Sequence, residues 1–138
     1  MAMRLLRLSL VVTAVALGLP PTLSYAYTQK EADVLLTVSY AAATAGQKNR
    51  KGAEAYCRQA KGTLGAKREE AYLYSHIERC FGAVAATLED KKTACKRYKK
   101  ALDIWVETPP PNDHEQSVAS RNQLRDSMIR YRSENCGK

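Results

Sequence analysis

The sequence predicts an all-α chain of about five helices, packed antiparallel in a bundle or short stack. Three observations carry that expectation. Between Glu70 and Trp105 (EAYLYSHIERCFGAVAATLEDKKTACKRYKKALDIW) apolar residues recur at steps of three and four: Tyr74, Ile77, Phe81, Val84, Ala85 and Leu88, then Ala94, Tyr98, Ala101, Leu102 and Trp105. No run alternates apolar and polar residues between turn signals, as a half-buried strand would. Ala, Lys, Arg, Glu and Leu, all good helix formers, dominate.

The chain opens on a segment that reads as an export signal, residues 1–26. Arg4 and Arg7 precede an uncharged apolar run from Leu8 to Leu19, Pro20 and Pro21 break it, and Ser24-Tyr25-Ala26 has the small residues of a cleavage site. The run is shorter than the roughly 20 residues of a membrane span. No cysteine follows it to carry a lipid, so no stable membrane insertion is expected after cleavage. Cleavage after Ala26 leaves a single helical domain spanning 27–138. Two of the 22 basic residues leave with the signal, so the mature balance is 20 − 14 = +6.

The mature part then reads in order. Thr28 caps the first helix, with Glu31 placed to complete a capping box. That helix runs to about Ala45, carries Leu35, Val38, Ala42 and Ala45 on one face, and ends at Gly46. A basic connection, Lys48-Asn49-Arg50-Lys51, leads to a second helix with Ala53, Tyr56, Cys57, Ala60 and Leu64 at helical spacing. The third and fourth helices are the two stripes between Glu70 and Trp105. The turn between them, Glu89-Asp90-Lys91-Lys92, is too polar to bury and too short to separate them, so they fold as an antiparallel hairpin. Asp90 is placed to cap the fourth. Pro109-Pro110-Pro111 stops it, because consecutive prolines cannot continue a helix. Asn112 or Asp113 restarts the chain, and a fifth helix runs to about Ser133 with sparse apolar positions (Val118, Leu124, Met128, Tyr131), making it the most exposed element.

All four cysteines, Cys57, Cys80, Cys95 and Cys136, lie in the mature part. An even count in an exported chain favours two disulfides, and counting leaves the three pairings open.

Within the hairpin, Gly82 is followed by Ala94, Tyr98 and Ala101, a small–small–aromatic–small ladder that resembles a tetratricopeptide-type repeat. A fainter copy lies upstream, where Ala53, Cys57 and Ala60 reproduce the spacing of Ala94, Tyr98 and Ala101. Val106 stands where that family places a closing proline, and the step from Cys57 to Tyr98 exceeds the family's period of about 34 residues. The resemblance implies a repeat-like stack that presents a groove to a protein or peptide, with no catalysis. It also implies that the second and fourth helices are equivalent neighbours, which would pair Cys57 with Cys95 and Cys80 with Cys136.

Catalytic and metal chemistry find little purchase. His76 and Cys80 share a helix face at i and i+4, but a structural zinc site takes four ligands. His76 reads instead as a surface histidine beside a bridged cysteine. There is no C-x-x-C, no glycine-flanked nucleophile turn and no carboxylate pair facing across a predicted cleft. No enzyme activity, cofactor or metal is expected. A thiol- or metal-dependent activity at Cys80 and His76 is the alternative of a different class.

The basic residues carry the remaining signal. Lys91, Lys92, Lys96, Arg97, Lys99 and Lys100 crowd the fourth helix, and Arg121, Arg125, Arg130 and Arg132 load the last. In an export compartment such charge meets acidic proteins, anionic polymers or lipid head groups rather than nucleic acid. The sequence therefore predicts a small periplasmic or secreted interaction module. Its groove would carry a basic rim of Lys96, Arg97, Lys99, Lys100, Arg121 and Arg125 for a protein partner in the cell envelope. Electrostatic binding of an anionic envelope polymer or of lipid head groups is the runner-up.

Overall fold

The computed structural model describes residues 28–111 and 115–137. The export segment, residues 1–26, and the expected caps at Asn112 and Asp113 lie outside the described residues. Five α-helices follow one another: α1 (Gln29–Gly46), α2 (Arg50–Gly62), α3 (Leu73–Thr87), α4 (Lys91–Glu107) and α5 (Glu115–Cys136). A single 3₁₀ turn, Arg68–Glu70, precedes α3, and there is no strand among the described residues. None of the described helices is long and apolar enough to cross a membrane.

Two helical hairpins, α1–α2 and α3–α4, are built to one plan. α1 ends at Gly46 and α3 at Thr87, while α2 begins at Arg50 and α4 at Lys91, so one numbering offset (87 − 46, and again 91 − 50) relates both boundaries. Each turn places one residue in the left-handed region, Lys48 at φ 63° and Glu89 at φ 61°. The next residue caps the following helix: Asn49 Oδ1 accepts from the Gly52 amide and Asp90 Oδ1 from the Thr93 amide. Those bonds satisfy donors that a helix start otherwise leaves open. The caps are also tied together, because Arg50 Nη2 donates to Asp90 Oδ2 at 2.9 Å. Gly46, expected as the stop, is the last helical residue, and the reversal is made by Lys48.

Stacking the hairpins creates two cores. Val34, Val38, Ala41 and Ala45 of α1 meet Ala53, Cys57 and Ala60 of α2 and Ile77, Cys80 and Val84 of α3. Ala85 of α3 then joins Ala94, Tyr98, Ala101, Leu102 and Trp105 of α4 and Met128 of α5. α3 belongs to both, so its burial extends well beyond the predicted stripe to include Leu73, His76 and Glu78. The small residues set the close approach of the hairpin: a Cβ on Gly82 would meet the Tyr98 ring at 3.2 Å. On α1 the buried face is Val34, Val38, Ala41 and Ala45, so Leu35 is half-buried and Ala42 exposed beside it. α5 is the sparsely buried helix expected, with Ser117, Arg121 and Met128 buried among its described side chains.

The disulfides correct the expected pairing. Cys57 bonds to Cys80 and Cys95 to Cys136, with Cα–Cα distances of 5.7 and 4.7 Å. The expectation took α2 and α4 as direct neighbours, but α2 packs against α3, and α4 against α5. Each bridge therefore joins a helix to the one that stacks on it next. They close loops of 23 and 41 residues, each constraining the unfolded chain by about 3–4 kcal/mol on the loop-entropy estimate. The Cys57–Cys80 bridge is fully buried, whereas Cys95 and Cys136 are both half-buried. Under mild reduction of the folded protein, Cys95 and Cys136 should become alkylated first, with Cys57 and Cys80 protected until the chain unfolds. Peptide mapping after differential alkylation reads that order directly.

Candidate functional site

Two places in the stack bring polar or open chemistry together. The first is buried. Glu31, in the first turn of α1, is fully inaccessible, and so are His76 of α3 and, to 2%, Arg121 of α5. Thr28 Oγ1 accepts from the Glu31 amide as a cap should, but the capping box is only half made, because the Glu31 carboxylate turns inward. There it accepts from Tyr72 Oη at 2.7 Å and Arg121 Nη2 at 3.0 Å on one oxygen. The other oxygen receives His76 Nε2 at 3.3 Å and Arg121 Nε at 3.4 Å. A carboxylate has about four acceptor positions, and here all are used. Arg121 also donates to the Pro111 carbonyl at 2.6 Å and lies over the Tyr72 ring. The Trp105 ring stands edge-on to His76, 5.7 Å between centroids.

Charge in this cluster follows from burial. Burial alone would raise the Glu31 carboxyl, but the hydrogen bonds from His76, Arg121 and Tyr72 outweigh it and hold the group below its ordinary 4.5. For His76, burial dominates and depresses the imidazole below 6.5 despite the pull of Glu31. The ring is therefore neutral at neutral pH, with its proton on Nε2 to donate to Glu31. Nδ1 is then the acceptor nitrogen, and it is buried without a hydrogen-bond partner. The cluster is thus one carboxylate against one guanidinium, with a neutral imidazole and a phenol completing the shell.

The second place is open. A groove of about 520 Å³ runs along α3 between α1 and α5. Arg79, Ala83 and Ala86 of α3 form its floor, Leu35, Val38, Ser39 and Ala42 of α1 one wall, and Leu124 and Tyr131 of α5 the other. The offset between the hairpins maps Val38 onto Arg79 and Ala42 onto Ala83, so equivalent positions of successive units line it. A shallower hollow continues it past Ala86 and Thr87 towards Lys91 and Glu134.

Comparison of the chain with protein-family models, with curated proteins and with solved structures finds no match.

The predicted basic rim divides. Arg121 leaves it altogether, since it is buried against Glu31 rather than displayed. Arg97 and Lys100 share Glu78, at 2.9 and 3.3 Å, and the Arg97 guanidinium covers the Phe81 ring. Arg125 contacts Asp126 and lines a separate cleft with Trp105 and the prolines. Lys96 and Lys99 are exposed on α4, and none of the six predicted rim residues lines the groove. His76, expected on the surface, is at the centre of the fold, and Cys80 beside it is oxidised. No group of three or more His, Cys, Asp or Glu side chains that could hold a metal ion occurs among the described residues.

Two measurements test the buried cluster. Arg121→Ala strands the Glu31 carboxylate in the interior and should cost about 3–5 kcal/mol in denaturant unfolding with the disulfides intact. The double change Glu31→Leu with Arg121→Met should recover most of that loss, because a matched apolar pair has no charge to bury.

The second is the pH dependence of stability. His76 is depressed in the folded state, so below 6.5 the unfolded chain binds a proton that the folded chain refuses. Glu31 is also depressed, so its contribution is present above 4.5 and fades as pH falls through the folded value. Both make acid destabilising. Stability should start to fall near pH 6.5, and His76→Gln should flatten the slope between about pH 5 and 7 while leaving the lower carboxylate limb in place.

Proposed function

We propose that the chain is an exported, non-catalytic interaction module that receives a peptide segment of a cell-envelope protein in the α1–α3–α5 groove. The observation that carries this reading is the groove itself, lined at equivalent positions of two like hairpins and walled by a fifth helix. Its small floor residues, Ala83 and Ala86, let a bound backbone approach closely. Leu35, Leu124 and Tyr131 offer apolar contact, and Arg79 lends the floor positive charge that suits an acidic side chain. Concave faces built from stacked helix pairs are the binding surfaces of helical repeat proteins, which supports the tetratricopeptide-like reading of the hairpins. Export is supported by the signal-like residues 1–26 and by two disulfides, a bond type that persists in oxidising compartments.

A second reading rests on α4. Lys92, Lys96 and Lys99 follow one another along a single exposed face, with Asp103 at its far end, while Glu78 is taken by Arg97 and Lys100. That stripe suits an anionic envelope polymer or lipid head groups, held by charge alone.

Display selection separates the two. Peptides selected on the oxidised wild-type protein should carry apolar residues, persist at about 0.5 M salt where exposed charges are screened beyond a few ångströms, and lose at least about tenfold in affinity to Ala42→Trp, which fills the groove. Lys96→Glu with Lys99→Glu should leave them bound. If only acidic peptides emerge, released by salt and by the lysine changes but not by Ala42→Trp, the groove reading fails.

A further inference from the structure

The offset that relates the hairpins also exposes an unmatched face. On α3, Ile77 is 1% exposed and Phe81 is packed against the core shared with α1 and α2. The same offset maps these two onto Leu36 and Tyr40 of α1, which are 43% and 53% exposed. At about 100° per residue, Leu36 and Tyr40 sit opposite Val38 and away from the groove wall of Leu35 and Ala42. Tyr40 is joined there by Tyr56 of α2, with ring centroids 5.8 Å apart. What α3 buries under a preceding helical hairpin, α1 leaves in solvent.

We propose that a second copy of this chain covers that face, α1 packing antiparallel on α1 about a two-fold axis near Tyr40. Head-to-tail stacking is poorly matched, because the other end of the array is α5, where Ile129, 42% exposed, is one apolar side chain among exposed Asn122, Gln123, Asp126 and Arg130. A like-on-like contact sets Leu36, Tyr40 and Tyr56 of one copy against the same residues of the other. Charge complements it. Asp33 and Lys48, both exposed, lie before and after Tyr40 at nearly equal steps along the chain. Lys48 stands in the turn two residues past the end of α1, so in an antiparallel pairing its long side chain lies within reach of Asp33 of the other copy, once at each end of the contact. Ala43, on the same side of α1, is small enough for close approach of the helices. α1 is 18 residues long, about 27 Å of helix, so the contact is of the small, reversible class. It leaves both grooves open and makes the assembly bivalent.

Sedimentation equilibrium of the mature, oxidised protein tests this. It should give a monomer–dimer equilibrium with a micromolar constant, and Leu36→Glu with Tyr40→Glu should abolish the dimer while leaving a monomer with the same helical circular dichroism and a cooperative unfolding transition, since both side chains are at least two-fifths exposed in the monomer. Asp33→Lys should weaken the dimer about tenfold, because symmetry repeats the lost pair, and adding Lys48→Asp should restore it. A monomer at about 1 mM, a dimer indifferent to Leu36 and Tyr40, an open-ended series of oligomers, or no rescue by the charge exchange would each overturn the two-fold contact.

Discussion

The Glu31 carboxylate is the constraint on which the arrangement of the helices depends. Burying an ionised carboxylate costs several kcal/mol, and only a complete set of donors offsets that. Here the donors come from Tyr72, His76 and Arg121, which lie 41, 45 and 90 residues further along. The first turn of α1, the start of α3 and the start of α5 must therefore converge before the carboxylate is satisfied. Arg121 extends the constraint to the proline segment after α4, because it donates to the Pro111 carbonyl. An apolar cluster could supply comparable stability but not this directional register.

Around that hub the two hairpins are variations on one unit. The left-handed residue, the Asn or Asp cap and the small helix-packing positions recur at the same offset, although the residues themselves differ. Cys57 stands where the second unit has Tyr98, and each serves its own junction. Cys57 bonds forward to α3, while Tyr98 fills the space over Gly82 and stacks on Tyr131 of α5 at 5.6 Å. Covalent and aromatic contacts thus do the same job at successive interfaces.

The helices are legible in the sequence because their signals are local. Apolar spacing, the Asp90 cap and the proline stop each lie within a few residues of what they specify, and even the echo between the hairpins can be read from Ala53, Cys57 and Ala60. Partner choice is not legible in the same way. Glu31 looks like a capping-box residue, and its first-turn position, with Thr28 before it, fits that role; nothing nearby shows that Arg121 waits on another helix. Arg121 looks like one more surface cation in a basic helix for the same reason. The expected disulfide pairing fails at a single step, the assumption that equivalent helices touch. In a stack of hairpins the second helix of one unit meets the first helix of the next, and that fact belongs to topology rather than to spacing. One signal for the cluster is present in the sequence: the helical spacing of Leu124 and Met128, carried back one turn, falls on Arg121, which places that arginine on the inward face.

The same contacts decide the shape of the groove. Its outer wall is α5, a helix with few apolar contacts of its own, which would fray if packing alone held it. Arg121 instead pins its first half to Glu31, Met128 is buried at the middle, and Cys136 bonds its last turn to α4. The opposite wall, α1, is fixed at its start by Glu31 and by the Lys30–Glu70 ion pair at 2.9 Å. Both walls are thereby held in place by the fold itself, so an occupant of the proposed kind would meet little ordering entropy. The polar cluster at one end and the half-buried disulfide at the other thus act on the groove without lining it. Loss of either would loosen α5 and change the shape of the groove without altering any residue that lines it.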